Sequence, residues 1–387
     1  MHLIVLENEP SSFRGGQELS LFEVCRALSE RGHKISLVYC KEGNLLKYYQ
    51  DFCGDIIKIN RYVFAKKRIT EILEFIASIT TVSKIPTSKN SVIFSNQYHE
   101  AFFGSVLSLS KNIPFVCSLR IPPCDFNRQK LLGLKGVKKF LAVSNQTKSD
   151  WINFGLQEDK VEVVYNGTNT EKFKPSTDFC KQRKEWNIPQ DIRVISYIGR
   201  LDTAKGLETL IKAFALLLKK DISARLLIAG KPLVHIGKDG KECPELGEKY
   251  KQSLKQLAID LGIDNYVKFL GHINNTTSLY QITDITVLPS LWSEPFGRSI
   301  IESMACGTPV VASRIGGIPE ILTGEFQNGL FEPGNERNLA DTLNLIMNWR
   351  DNNSQLGERC RKHILNKFTL DKMFDGIEKV LLRVVEQ

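Results

Sequence analysis

The stretch SEPFGRSIIESMACGTPVVAS, from Ser293 to Ser313, is the part of the chain whose reading decides the fold. It spaces Glu294, Arg298 and Glu302 at steps of four, so a helix through it sets Arg298 and Glu302 on one face. Pro295-Phe296-Gly297 turns the chain into that helix, and Gly307-Thr308-Pro309 stops it. The apolar run 309–312 then reads as a buried strand. A helix starting near Phe296 or Gly297 leaves its first amides without partners inside the helix, and these carry partial positive charge toward Glu294. Such an end binds phosphate or sugar hydroxyls. A surface ion pair between Arg298 and Glu302 has the same spacing and is worth only ~0.2–0.5 kcal/mol. The rest of the chain has to separate the two readings.

Working outward, apolar runs alternate with helical patterns along the whole chain. In the first half, strands are predicted at 2–6, 34–39, 55–59, 91–95, 114–119, 139–144 and 161–165. Helices are predicted at 19–29, 65–81, 99–108 and 146–153. In the second half the strands are 193–198, 225–229, 267–270, 285–289 and 309–312, with helices at 207–219, 249–261 and 279–282. Past Pro333 the chain reads as three helices, 338–349, 355–366 and 370–385. This alternation calls for an α/β fold with parallel sheets covered on both faces. Ligands then sit at the carboxyl ends of the strands. The 387 residues suit two domains. The polar, turn-rich NGTNTEKFKPS (166–176) reads as their junction, with a boundary near 170.

Composition is that of a water-exposed globular protein, 42% hydrophobic and 25% charged. No apolar run approaches the ~18 residues of a membrane span. The start MHLIVLENEP reads as a first strand and not as a signal peptide. Nine scattered cysteines without a C-x-x-C pair read as reduced thiols of a cytoplasmic protein. Lys and Arg number 52 against 43 Asp and Glu. The excess gathers in RYVFAKKR (61–68) and RQKLLGLKGVKK (128–139), where cations mix with Leu, Val and Phe. That mixture suits an anionic partner, either a membrane surface or a pyrophosphate-bearing substrate, and equally a solvated basic face. The aromatic interleaving of a nucleic-acid surface is weak, so no nucleic-acid partner is expected.

Three further places carry chemistry. Arg14-Gly15-Gly16 lies where the first strand hands over to a helix, so its backbone can approach a ligand. GRLDTAKG (199–206) brackets another strand-to-helix turn with Arg200 and Lys205, two cations that can offset a diphosphate without a metal. Arg120 stands at the end of a strand in VCSLRIPPC, and His99 follows the strand before it. Gly316-Gly317 reads as strand–helix packing, not as a ligand site. No D-x-D, no His pair at ligand spacing, no G-x-G-x-x-G and no G-x-x-x-x-G-K-[ST] occurs, so neither a metal nor another cofactor is expected.

EPFG, a second Glu eight residues after Glu294, GTPVVAS, the G-R-(x)4-K-G loop and Phe173-Lys174-Pro175 together resemble the signature of the retaining nucleotide-sugar glycosyltransferases of GT-B fold, glycosyl transferases group 1, family 4. The resemblance is strong in the second half and weaker in the first. It implies two Rossmann-like domains facing a central cleft: 1–170 on the acceptor side, joined by a terminal helix 366–387 that crosses back, and 171–365 on the donor side. It implies transfer of a hexose, with UDP-glucose as the best guess of donor, to a hydroxyl of a glycan or lipid-linked acceptor, as in polysaccharide or glycolipid assembly.

In that family the Gly15-Gly16 loop lies near the donor diphosphate, and Arg200 and Lys205 hold it. Ile273, in Gly271-His272-Ile273, meets the nucleobase. Glu294 and the turn Phe296, Gly297, Arg298 and Ser299 meet the hexose and the phosphate, and Glu302 takes the ribose hydroxyls. The family often has His where this chain has Arg120, so Arg120 is expected to address an acidic or phosphorylated group. The catalytic set implied is Glu294, Arg200, Lys205 and Arg120. The expected setting is cytoplasmic, with peripheral contact to an anionic membrane. A non-catalytic nucleotide-sugar or anionic-polymer binding protein, or an NDP-sugar epimerase on the same fold, would use many of the same residues.

Overall fold

The computed structural model describes residues 1–12, 16–64, 68–220, 222–236 and 242–386. The chain divides into two compact units, Met1–Asn166 with Asp371–Gln387, and Gly167–Leu370.

The first unit holds seven strands: β1 (His2–Glu7), β2 (Lys34–Tyr39), β3 (Asp55–Lys58), β4 (Ser91–Ser95), β5 (Phe115–Leu119), β6 (Lys139–Ala142) and β7 (Val161–Val163). All pairings are parallel, in the order β3-β2-β1-β4-β5-β6-β7. The inner strands β1, β4 and β5 are buried throughout, as continuous apolar runs covered on both faces should be. Order reverses between β1 and β4, which opens a crevice at the carboxyl ends there.

Helix α1 (Gly16–Glu30) buries Leu21, Val24, Cys25 and Leu28, the i, i+3, i+4, i+7 stripe of a one-sided helix. The helix predicted from 65 begins at Ile69: α2 is Ile69–Ser83, and 65–67 lie outside the described residues. Helix α3 (Ala101–Lys111) ends on Asn112 in the left-handed region (φ 51°). Helix α4 (Arg128–Lys135) was not predicted, because its cationic run hides the pattern; the Asn127 side chain caps it by accepting from the Lys130 amide at 3.0 Å. The terminal helix, Leu370–Glu386, buries Met373, Phe374, Ile377 and Leu381 in this unit. Arg31 clamps it through Asp375 (2.7 Å) and Glu378 (2.5 Å).

The second unit has β8 (Arg193–Ile198), β9 (Ala224–Ala229), β10 (Val267–Gly271), β11 (Ile285–Leu288), β12 (Val310–Ser313) and β13 (Leu330–Phe331). They form a six-stranded parallel sheet in the order β10-β9-β8-β11-β12-β13. Its order reverses between β8 and β11, and those strand ends carry α5 (Leu207–Leu218) and α6 (Arg298–Ala305). Under the opposite end of β11 lies a buried ionic cluster. Arg183 donates to Asp284 at 2.6 Å with both side chains sealed from solvent, and Arg350 reaches the other carboxylate oxygen at 2.7 Å. The helix predicted at 249–261 starts five residues earlier, as Pro244–Asp260, with Pro244 in the first turn where its missing N–H costs nothing.

Candidate functional site

In the second unit Arg200 and Lys205 follow β8, and Glu294 with the turn into α6 follows β11, where strand order reverses; Ile273 instead follows β10 at the sheet edge. After β8 the chain makes a single tight turn. Asp202 caps it by accepting from the Ala204 amide at 3.1 Å, and Gly206 closes it with φ +67°. A Cβ on Gly206 would stand 2.1 Å from the Pro289 carbonyl oxygen, so only glycine lets this turn lie against the segment after β11. The Leu291 amide, donating to the Ala204 carbonyl at 2.8 Å, fastens the two loops. Lys205 is thereby brought onto Glu294: its ammonium donates to Glu294 Oε2, which Ser290 Oγ also approaches at 3.1 Å. Each side chain of the pair keeps 15% of its surface exposed, so a ligand in solvent can reach it.

Glu294 is held from behind as well. The Gly317 amide donates to the Glu294 carbonyl at 2.8 Å, and a Cβ on Gly316 (φ +60°) would fall 2.2 Å from that oxygen. The glycine pair read from sequence as strand–helix packing therefore seats the Glu294 peptide, which corrects that reading. The sequence signal was present, two glycines after a strand, but it does not say which backbone passes close by.

Gly297 precedes α6 with φ +102°, and a Cβ there would press on Ile300 and Leu288 at 3.0 and 3.3 Å. Phe296 is buried against Phe368, with ring centroids 5.7 Å apart, and locks the turn. Arg298, Ser299 and Glu302 lie on α6 itself. Arg298 Nε stands 3.7 Å from Glu302 Oε1, and the Tyr280 hydroxyl donates to Glu302 Oε2 at 3.1 Å. Burial, with the Glu302 charge second, pushes the Tyr280 hydroxyl well above its ordinary pKa, so it stays a donor. Arg200 extends into solvent, 54% exposed and 3.9 Å from Asp202. Ile273 packs beside Leu270 on the cluster of Leu227, Ala229, Leu279 and Ile282. Three cations, Arg200, Lys205 and Arg298, with Glu294, Glu302 and a helix N-terminus suit a ligand with an anionic and a hydroxyl-bearing end.

The first unit places Arg120 differently from its neighbours in the prediction. It is 8% exposed, with Nε donating to Asn96 Oδ1 at 2.6 Å and one terminal nitrogen to Ser20 Oγ (3.3 Å) and Asn166 Oδ1 (3.2 Å). Asn96 Nδ2 in turn donates to Glu7 Oε2 at 2.7 Å. Glu7, at the end of β1, is pushed up to about 7, first by burial and then by Glu18; Asn96 and Arg120 oppose the shift. Sequence reading missed Glu7, Glu18 and Asn96; the one available signal was a carboxylate closing the first strand. His99 stacks on Tyr98 at 4.2 Å, faces Gln97 Oε1 at 3.2 Å and is pushed down to about 4 by burial and then Lys130, so it is neutral near pH 7. Gly16 starts α1, while Gly15 lies outside the described residues. Among the described residues no group of three or more His, Cys, Asp or Glu could hold a metal ion.

Residues 178–363 match the family model described as glycosyl transferases group 1, and residues 14–172 match the glycosyltransferase family 4 model. A D-inositol 3-phosphate glycosyltransferase from Corynebacterium efficiens is 31% identical over 235 residues, 58% of this chain and 52% of the relative. An uncharacterized glycosyltransferase from Methanocaldococcus jannaschii is 30% identical over 239 residues, 60% and 57% of the two chains. The chain thus spans little more than half the length of these curated relatives. Among solved structures, HepE from Anabaena in complex with UDP and glucose superposes with a TM-score of 0.80 at 22% identity, covering 98% of each chain. At that identity the likeness speaks for the fold, which is GT-B.

Proposed function

The chain belongs to the group 1 glycosyltransferases of GT-B fold, and on that premise we propose that it moves a hexose from a nucleoside-diphosphate sugar to an acceptor hydroxyl with retention at the anomeric carbon. The Lys205–Glu294 contact at the sheet's turning point carries this reading. A cation and a carboxylate sharing one crevice become the two halves of a donor site once the ligand separates them. Lys205 turns to the diphosphate beside Arg200, and Glu294 is released to accept from hexose hydroxyls. The α6 amides near Gly297, Arg298 and Ser299 add their partial charge to the same phosphate. Glu302, held by Tyr280 and Arg298, is oriented for the ribose hydroxyls, and Ile273 lies beside the base.

The bond between C1 and the diphosphate oxygen breaks as the acceptor oxygen bonds to C1 on the same face. The acceptor proton passes to the departing phosphate, so neither carboxylate need be a nucleophile. Charge on the leaving group is what Arg200 and Lys205 stabilise, the interaction that usually dominates such catalysis. No metal is required in this scheme. UDP-glucose is the donor we favour, supported by the UDP and glucose in the HepE complex. The acceptor is a glycan or lipid-linked hydroxyl; Arg120 would have to exchange its bonds to Asn96, Ser20 and Asn166 to address an acidic or phosphorylated group on it.

The test is NMR-monitored hydrolysis of UDP- and GDP-hexoses without acceptor. Release of one sugar in its initial α configuration, undiminished by a chelator and lost in Glu302→Ala, is the expected result. Donor binding without turnover in the presence of an acceptor panel would favour a binding protein. A covalent glycosyl-enzyme trapped during turnover would overturn the same-face route.

A further inference from the structure

Helix α2 has an apolar face turned to solvent. Ile69 is 77% exposed, Leu73 58% and Ile76 53%, at the i, i+4, i+7 spacing of one helical side, with Ile72 beside them. The opposite side does the ordinary work of a core helix through Phe75 and Val82. The Thr80 and Thr81 hydroxyls turn back to donate to the Ile76 and Ala77 carbonyls at 2.9 and 2.8 Å. The two carboxylates of the helix, Glu71 and Glu74, both meet Arg61, at 3.4 and 2.6 Å. Arg68 and Lys84 stand at its two ends, both exposed.

The surroundings continue this pattern. Helix α3 packs on α2 through Phe102 against Phe75, 5.5 Å apart, and α4 packs on α3 through the Ser105–Gly133 hydrogen bond of 2.5 Å. These helices expose Leu109 (83%), Leu131 and Leu132, with Arg128 and Lys135 among them. From 61 to 139 the sequence has thirteen Lys and Arg against four Asp and Glu. That excess equals the +9 of the entire chain, and the other residues carry acids and bases in equal number. The net positive charge is thus confined to the segment that bears the apolar face.

We propose that the α2 face, with the adjoining exposed leucines, is a docking surface for a lipid bilayer rich in anionic headgroups. An apolar helical side whose hydroxyls are turned back onto the backbone, with an exposed cation at each end, fits the boundary between acyl chains and headgroups. Ile69, Leu73 and Ile76 enter the boundary while Arg68, Lys84, Arg128 and Lys135 meet the phosphates. Among the described residues no helix is long and apolar enough to cross a membrane, so this contact would lie on the surface. It goes beyond the donor chemistry above and stands or falls separately from it.

The experiment is flotation of the full chain with vesicles of phosphatidylcholine alone and of equal parts phosphatidylcholine and phosphatidylglycerol. Wild type is expected to float with the anionic vesicles and to be partly released by salt. Leu73→Glu with Ile76→Glu should lower the bound fraction at least about tenfold, with the circular dichroism spectrum and melting temperature unchanged as the check on folding. As a second probe, the emission of an Ile76→Trp variant should shift to the blue on adding anionic vesicles. No flotation at low salt, flotation unaffected by the double substitution, or an unshifted emission from the Ile76→Trp variant would each overturn the proposal. So would a dimer in sedimentation that the double substitution dissolves, since the face would then belong to a second copy.

Discussion

The two ends of β11 carry the same kind of residue to opposite effect. At its amino end Asp284 is sealed from solvent, bonded to Arg183, Arg350 and the Val194 amide. At its carboxyl end Glu294 has Lys205 and Ser290, on loops a few residues beyond the strand, within reach of solvent. A carboxylate sealed from solvent and held by three protein donors is a fastener. One whose partners can be exchanged for a ligand is a site. The difference follows from parallel-sheet geometry: connections at one end are free to open a crevice where strand order reverses, while the other end is covered.

Asp284→Ala is expected to break the buried end outright. It leaves two guanidinium groups without their carboxylate, at a cost of about 3–5 kcal/mol in urea unfolding. Donor turnover per folded molecule should persist. A loss under ~1 kcal/mol would mean that the cluster is not a fastener. Lys205→Ala should do the reverse, lowering kcat by about 10²–10³ while stability changes by no more than about 1 kcal/mol. Equal effects on stability from the two substitutions would erase the distinction between the ends.

The first unit offers a carboxylate of intermediate kind. Glu7 keeps its proton up to about pH 7 in the fold, against 4.5 for an ordinary glutamate, because burial and Glu18 disfavour its charge. Between those values the native state binds the extra proton, so stability is full below 4.5 and falls as pH rises through 7, by about 3 kcal/mol in total. Glu7→Gln should remove that slope. It should be more stable than wild type at about pH 8 and indistinguishable from it near pH 4; a parallel pair of stability–pH curves would show that Glu7 ionises normally. The smallest effect is expected from Gly316→Ala. Left-handed backbone costs a residue with Cβ about 1–2 kcal/mol in urea unfolding, and the displaced Glu294 carbonyl should raise the donor KM in steady-state kinetics.

Much of this was legible in the residues. The alternation of apolar runs and helical stripes gave the parallel sheets because those periods are local. β2, β4 and β8 begin and end where the pattern puts them. Glu294, Arg298, Glu302, Arg200 and Lys205 stood out because their spacing resembles the family's signature, while local geometry alone left a surface ion pair or a basic loop open. Helix α4 escaped notice, since its cations mask the stripe and its cap is a single Asn127.

What the sequence determined by itself was set by neighbours along the chain: the type of most elements, several turns that close on glycine, and the placing of the net positive charge in 61–139. What only the tertiary structure decided was who meets whom across it. Lys205 and Glu294 are 89 positions apart, Arg183 and Asp284 are 101 apart, and Glu7 and Asn96 are 89 apart. Partners at such distances are chosen by strand order and by which backbone a glycine allows to approach. Neither is encoded in local spacing, and together they turn one carboxylate into a fastener and another into a candidate site.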